Sequence, residues 1–174
     1  EYQKKIVETA KDKNTLVILP TGLGKTAISI ILTLERLMKF PESKALILAP
    51  TKPLCKQHLD SFQAQTNFPK EKIVLITGLI LPEKRTSLYR EAKIIIATPQ
   101  TIQSDIKNNR INLESFSIIT VDECHRSRQK YANTIVSQSY IKASPYPRIL
   151  ALTASPGSTK EKIDEIQKNL FIEA

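Results

Sequence analysis

The chain has 174 residues and carries 26 Lys and Arg against 17 Asp and Glu, a formal charge of +9. That length suits one sizeable core rather than two, and the basic excess favours a polyanionic partner through counterion release without naming the polyanion. No run of about 18 apolar residues argues for a membrane-spanning helix, and the two cysteines, Cys55 and Cys124, lie far apart in no paired spacing, which argues against a disulfide scaffold.

The cysteine usage fits a reducing compartment, and an intracellular protein is expected, cytoplasmic in a prokaryote and nuclear if eukaryotic. The chain begins with Glu1 rather than Met and has no apolar leader, so a piece of a longer protein is expected. Tyr2, Ile6 and Ala10 recur at helical spacing among Gln3, Lys4, Lys5 and Lys11, which predicts a short amphipathic helix covering a sheet. Thr15 to Leu19 reads as a strand, and Ala27 to Met38 as a helix stopped before Pro41. Lys44 to Ala49 is the compact apolar run of a buried parallel strand; it ends in Pro50-Thr51-Lys52-Pro53, and Leu54 to Gln65 looks helical.

Ile73 to Ile76 is a third strand, closing with Thr77-Gly78, and Pro82 to Glu91 is a charged helix. Lys93 to Ala97 is a fourth strand ending in Thr98-Pro99-Gln100-Thr101, with a helix to about Lys107. After the polar turn Asn108-Asn109-Arg110, a fifth strand from Ser117 to Val121 runs into Asp122-Glu123-Cys124-His125. A basic stretch, Arg126 to Lys130, precedes a helix from Tyr131 to Ile141. A sixth strand, Arg148 to Leu152, ends in Thr153-Ala154-Ser155-Pro156-Gly157, and a helix from Lys160 to Leu170 closes the chain. This alternation predicts an α/β fold, a doubly wound and mainly parallel sheet with helices on both faces.

The stretch Pro20-Thr21-Gly22-Leu23-Gly24-Lys25-Thr26 joins a strand to a helix. Glycines there let successive backbone N–H groups point into one concavity, at which the new helix also aims its unpaired amides. A polyphosphate fits such a cradle, with Lys25 reaching the β- and γ-phosphates and the Thr26 hydroxyl offering one oxygen to Mg²⁺. The strict G-x-x-x-x-G-K-[ST] spacing asks for glycine where this chain has Leu19; Gly22 supplies the flexibility instead. Asp122, at the end of an apolar strand, stands where P-loop enzymes hold Mg²⁺. Glu123 beside it can orient and deprotonate an attacking water. Gln3 can pair with N6 and N7 of adenine. His125 is open between metal ligand, catalytic base and structural coupler. A zinc site built from Cys55, His58, Cys124 and His125 is not expected without paired CxxC spacing, nor is a dyad of the neighbours Cys124 and His125.

In order and spacing these motifs resemble the first RecA-like lobe of a superfamily 2 helicase or translocase, over essentially all of residues 1–174. The wording PTGLGKT, APTKPLCKQH, ATPQT, DECHR and LTASPGS is similar to the archaeal Hef and Fanconi anaemia M group of branched-DNA translocases. DECH departs from the archaeal members, which usually carry alanine where Cys124 stands; Dicer and the RNA-sensing innate-immune helicases carry DECH or something close to it. The resemblance implies a RecA-like P-loop fold, ATP and Mg²⁺ as cofactors, and a second RecA-like lobe of the same protein outside these residues to supply an arginine finger. It assigns Pro20 to Thr26 and Gln3 to the nucleotide, Thr26 and Asp122 to the metal, and Lys25, Asp122 and Glu123 to hydrolysis. It assigns His125, Thr153 and Ser155 to coupling, and Thr51, Lys52, Gly78, Thr98 and Thr101 to the backbone of forked or duplex DNA read without sequence preference. No membrane is implied.

The threonines are equally suited to capping the helices they precede, and Arg126, Arg128 and Lys130 can be a contact or merely a solvated face. Two other readings use the same motifs: a double-stranded-RNA-dependent ATPase that uses ATP as a conformational switch, and a P-loop small-molecule kinase, which would need neither DECH nor Thr153-Ala154-Ser155.

Overall fold

Short runs of Ile, Leu and Val, apolar on both sides, make strands that only a sheet covered on both faces can bury. The computed structural model describes residues 1–155 and 159–174, without the side chains of 127–129. Its strands are β1 (Thr15–Ile18), β2 (Lys44–Leu48), β3 (Ile73–Ile76), β4 (Ile94–Ala97), β5 (Phe116–Val121) and β6 (Ile149–Thr153). They form one six-stranded sheet in the order β1-β6-β5-β2-β4-β3, and every recorded pairing is parallel. Parallel neighbours need crossover connections, supplied by helices α2 (Lys25–Lys39), α3 (Lys52–Gln65), α4 (Pro82–Glu91), α5 (Pro99–Lys107) and α6 (Ser127–Ala143), while α1 (Tyr2–Asp12) precedes the first strand and α7 (Lys160–Asn169) follows the last.

The single sheet is covered by an apolar layer on each face. Val7 of α1, Ile28 and Leu32 of α2 and Phe62 of α3 pack on one side with Ile47, Ile96 and Leu150. Tyr89 of α4, Ile102 of α5, Val136 and Tyr140 of α6 and Ile166 of α7 pack on the other with Leu46, Ile95 and Ile119. The sheet is doubly wound, as the alternation predicts.

Where the element ends differ from expectation, local chemistry accounts for it. Helix α2 starts at Lys25 because Gly24 caps it in the left-handed conformation, with φ 94°. Helix α3 starts at Lys52 because Thr51 caps it, its side chain accepting from the Leu54 N–H. Helix α6 starts at Ser127, four positions before Tyr131, because its first turn is polar and shows no apolar period. Strand β6 runs on through Thr153, which pairs with Ile18.

A buried ionic cluster pins the helices that follow β3 and β4. Asp105 of α5 is fully buried and accepts from Arg85 Nε at 2.9 Å and Arg85 Nη2 at 2.8 Å, a bidentate pair. Arg110 Nη1 adds a third bond at 3.2 Å, and the Tyr89 hydroxyl donates as well. Nothing in the sequence distinguished Arg85 from its exposed neighbours on a charged helix.

Candidate functional site

In an open parallel sheet, ligands sit over the carboxyl ends of the strands, and each motif singled out above begins at one of those ends. In sequence the motifs are interleaved; strand order sorts them. The order β1-β6-β5 sets the phosphate loop, Thr153-Ala154-Ser155 and Asp122-Glu123 side by side. The continuation β2-β4-β3 does the same for Thr51-Lys52, Thr98-Thr101 and Gly78. One edge therefore has a half suited to phosphates and a metal, and a half lined with hydroxyls, an exposed lysine and an exposed glycine.

In the first half the phosphate loop curls on two left-handed glycines, Gly22 at φ 85° and Gly24 at φ 94°. At that φ any side chain at Gly24 would be strained, and its Cβ would also have to displace the Gln3 amide nitrogen, 1.9 Å away. The Leu23 carbonyl accepts from the Tyr2 hydroxyl at 2.6 Å and from Gln3 Nε2 at 3.3 Å, which fastens the start of α1 to the loop. Pro20, Thr21 and Leu23 are exposed, whereas Lys25 and Thr26 are half-buried at the start of α2. Lys25 Nζ donates to the Leu19 carbonyl at 2.8 Å, so its ammonium lies folded back along the loop. Left-handed glycines, a helix start and a lysine on the loop itself are the donor set a nucleoside triphosphate requires, and these residues fit one.

At the end of β5, Asp122 Oδ1 accepts from the Glu123 N–H at 2.9 Å. Glu123 holds φ 51°, a strained value for a side-chain-bearing residue of the kind that clusters at functional sites. His125 stands between the two acidic and hydroxyl-bearing segments: its Nε2 lies 3.6 Å from Glu123 Oε2, and its Nδ1 shares a 2.6 Å hydrogen bond with Thr153 Oγ1. Thr153 Oγ1 also accepts from the Ser155 N–H at 3.2 Å. His125, Thr153 and Ser155 are thus hydrogen-bonded in a string, Glu123 approaches its His125 end at ion-pair distance, and the Leu19 N–H donating to the Thr153 carbonyl at 3.1 Å joins it to the phosphate loop. Of the readings open for His125, the geometry favours the coupler.

In the second half, the Leu54 N–H donates to Thr51 Oγ1 at 3.3 Å, the capping role. Thr98 Oγ1 and Thr101 Oγ1 share a bond of 3.0 Å, with Thr101 buried and Thr98 partly exposed. Gly78 is exposed, and a Cβ built on it would meet Thr101 Oγ1 at 4.0 Å, so the two motifs are in contact range. Lys52 is exposed to solvent beside them. Two members of the basic cluster are in ion pairs: Lys130 Nζ lies 3.2 Å from Glu165 Oε2, and Arg126 Nε 3.8 Å from Glu123 Oε2. The Arg128 side chain, Pro156 and Gly157 lie outside the described residues.

His58 is the residue sequence reasoning placed least well. Its spacing offers it only as a zinc ligand; instead its Nε2 meets Asp122 Oδ2 at 2.8 Å. The thiols go elsewhere. Cys55 Sγ donates to the Ala49 carbonyl at 3.5 Å and burial pushes its pKa up to about 11; Cys124 is buried in the core with its pKa pushed up to about 12 by burial and by Asp122. No helix among the described residues is long and apolar enough to cross a membrane.

The sequence model of the DEAD/DEAH box helicase family matches residues 1–163. A Methanocaldococcus jannaschii protein named as an ATP-dependent RNA helicase is 44% identical over 99% of this chain, which spans 22% of that protein. The DEAD-box ATP-dependent DNA helicase Fancm of Drosophila melanogaster is 38% identical over 98% of the chain, which spans 12% of it. The crystal structure of the Pyrococcus furiosus Hef helicase domain superposes with a TM-score of 0.95 at 47% identity, covering 99% of this chain and 36% of that one. The chain is therefore well under half the length of each of these three. It belongs to the DEAD/DEAH box helicase family, and ATP with a divalent cation are the ligands that membership implies for its phosphate loop and acidic strand end.

Proposed function

We infer that residues 1–174 are the ATP-binding first lobe of an ATP-dependent helicase or translocase that acts on branched, forked DNA in repair or fork processing. The observation that carries this is the string from Glu123 through His125 to Thr153 and Ser155, which ties an acidic strand end to the neighbouring phosphate loop. A small-molecule kinase has no use for such a link.

ATP and Mg²⁺ supply the scissile phosphate and the charge that holds it. Pro20 to Thr26 wrap the phosphates, Gln3 reads the adenine, and Thr26 with Asp122 holds the cation. Lys25 neutralises charge on the phosphates, and Glu123 takes a proton from the attacking water. The hydroxyl-lined half holds the sugar-phosphate backbone: Thr51, Lys52, Gly78 and Thr98 directly, with buried Thr101 orienting Thr98. A second RecA-like lobe supplies the missing arginine. Such a protein works in the cytoplasm of a prokaryote or the nucleus of a eukaryote.

Double-stranded RNA is the second reading, because the Methanocaldococcus jannaschii relative is named as an RNA helicase and Cys124 is shared with RNA-dependent relatives. The test is the ATPase rate of the whole protein with forked DNA, linear duplex DNA, single-stranded DNA and double-stranded RNA, with Lys25→Ala as control. Strongest stimulation by forks is expected. Strongest stimulation by double-stranded RNA would overturn the DNA reading and leave the ATP site standing.

A further inference from the structure

The two halves of the site meet between β5 and β2, and a side-chain hydrogen bond crosses that boundary: His58 Nε2 to Asp122 Oδ2, 2.8 Å. His58 lies on α3, the helix that Thr51 caps and Lys52 begins. Both partners are shielded from solvent, with side chains 5% and 12% exposed. A carboxylate only accepts, so the shared hydrogen belongs to Nε2. Nδ1 is buried with no partner among the described residues, and the tautomer bare at Nδ1 strands an acceptor there rather than a donor.

With Oδ1 held by the Glu123 N–H and Oδ2 by His58, Asp122 has no rotational freedom left. Helix α3 is itself fixed to the end of β2 through Cys55 and the Ala49 carbonyl. His58 is seven positions beyond the Thr51 cap, about 10 Å along a rigid helix. Displacement of the hydroxyl-lined loop therefore reaches the metal-holding carboxylate through one side chain.

We propose that His58 is a positioning residue for Asp122: it orients that carboxylate toward the divalent cation and makes α3 the link between the Thr51-Lys52 loop and the metal site. This rests on the nucleotide-site reading above. Groups that orient a metal ligand typically govern affinity by about 10- to 100-fold.

The experiment is binding of a fluorescent ATP analogue to the whole protein, titrated with Mg²⁺, for the parent, Lys25→Ala, His58→Phe and His58→Asn. Phe keeps an apolar ring without a donor, and Asn, whose amide is too short to reach, is the second removal should Phe not fold. The Mg²⁺ concentration for half-maximal tightening is expected to rise about tenfold or more, with metal-free affinity and melting temperature near the parent values. In an Asp122→Ala background the same substitution is expected to change nothing further. A parent-like Mg²⁺ requirement would overturn the proposal, as would an effect that persists without Asp122 or that tracks melting temperature alone. If the parent fails to bind nucleotide, or Lys25→Ala binds as the parent does, the nucleotide-site reading itself falls and takes this inference with it.

Discussion

Glu123 and Lys25 illustrate how much a single position can carry here. Glu123 sits at φ 51°, a conformation glycine would adopt without strain, yet it carries the carboxylate beside His125. If it is the proton acceptor for hydrolysis, Glu123→Gln keeps nucleotide affinity within about threefold while kcat falls by about 10² or more. Lys25→Ala removes nucleotide binding altogether, because no other cation lies on the loop among the described residues. Equilibrium binding and steady-state turnover in the whole protein separate the two, and normal turnover in Glu123→Gln would remove the base assignment.

Helices α4 and α5 begin directly after the Gly78 and Thr98 loops, so whatever holds them sets those loops. Their clasp is Asp105 with Arg85, Tyr89 and Arg110. Burial alone would raise the Asp105 carboxyl, but the hydrogen bonds from Arg85, Tyr89 and Arg110 override it and hold the group below its ordinary range. A carboxyl lowered on folding adds stability that is complete above its unfolded pKa of about 3.9 and is lost as pH falls through the lower folded value. Arg85→Met is expected to cost about 3 kcal/mol or more in urea unfolding, since it leaves a buried carboxylate short of donors. Below about pH 4 the parent should lose stability more steeply than Asp105→Asn, which has no carboxyl to protonate there. Equal pH slopes in the two would mean the clasp contributes nothing.

At the scale of the molecule, the phosphate-and-metal half of the site is exposed to solvent along the loop, where the proposed second lobe would bring its arginine. An arginine finger is worth about 10³–10⁵ in rate. The chain alone is therefore expected to bind ATP and to turn it over at least about 10³-fold more slowly than the whole protein under saturating nucleic acid. Comparable rates in the two would show that the catalytic set is complete within these residues.

The sequence alone determined the element order and the doubly wound class and pointed to most of the candidate site residues, because each rests on neighbours in the chain. Gly22 and Gly24 announce a phosphate loop through a local backbone requirement, and Asp122-Glu123 declares itself by ending an apolar strand. Tertiary structure alone decided which loops stand together. The order β1-β6-β5-β2-β4-β3 cannot be read from alternation, since any strand with that apolar run could pair with any other. The same holds for His58 with Asp122 and for Arg85 with Asp105, pairs 64 and 20 residues apart. A buried polar side chain must find a partner, but its identity depends on which helix face the finished sheet brings opposite it.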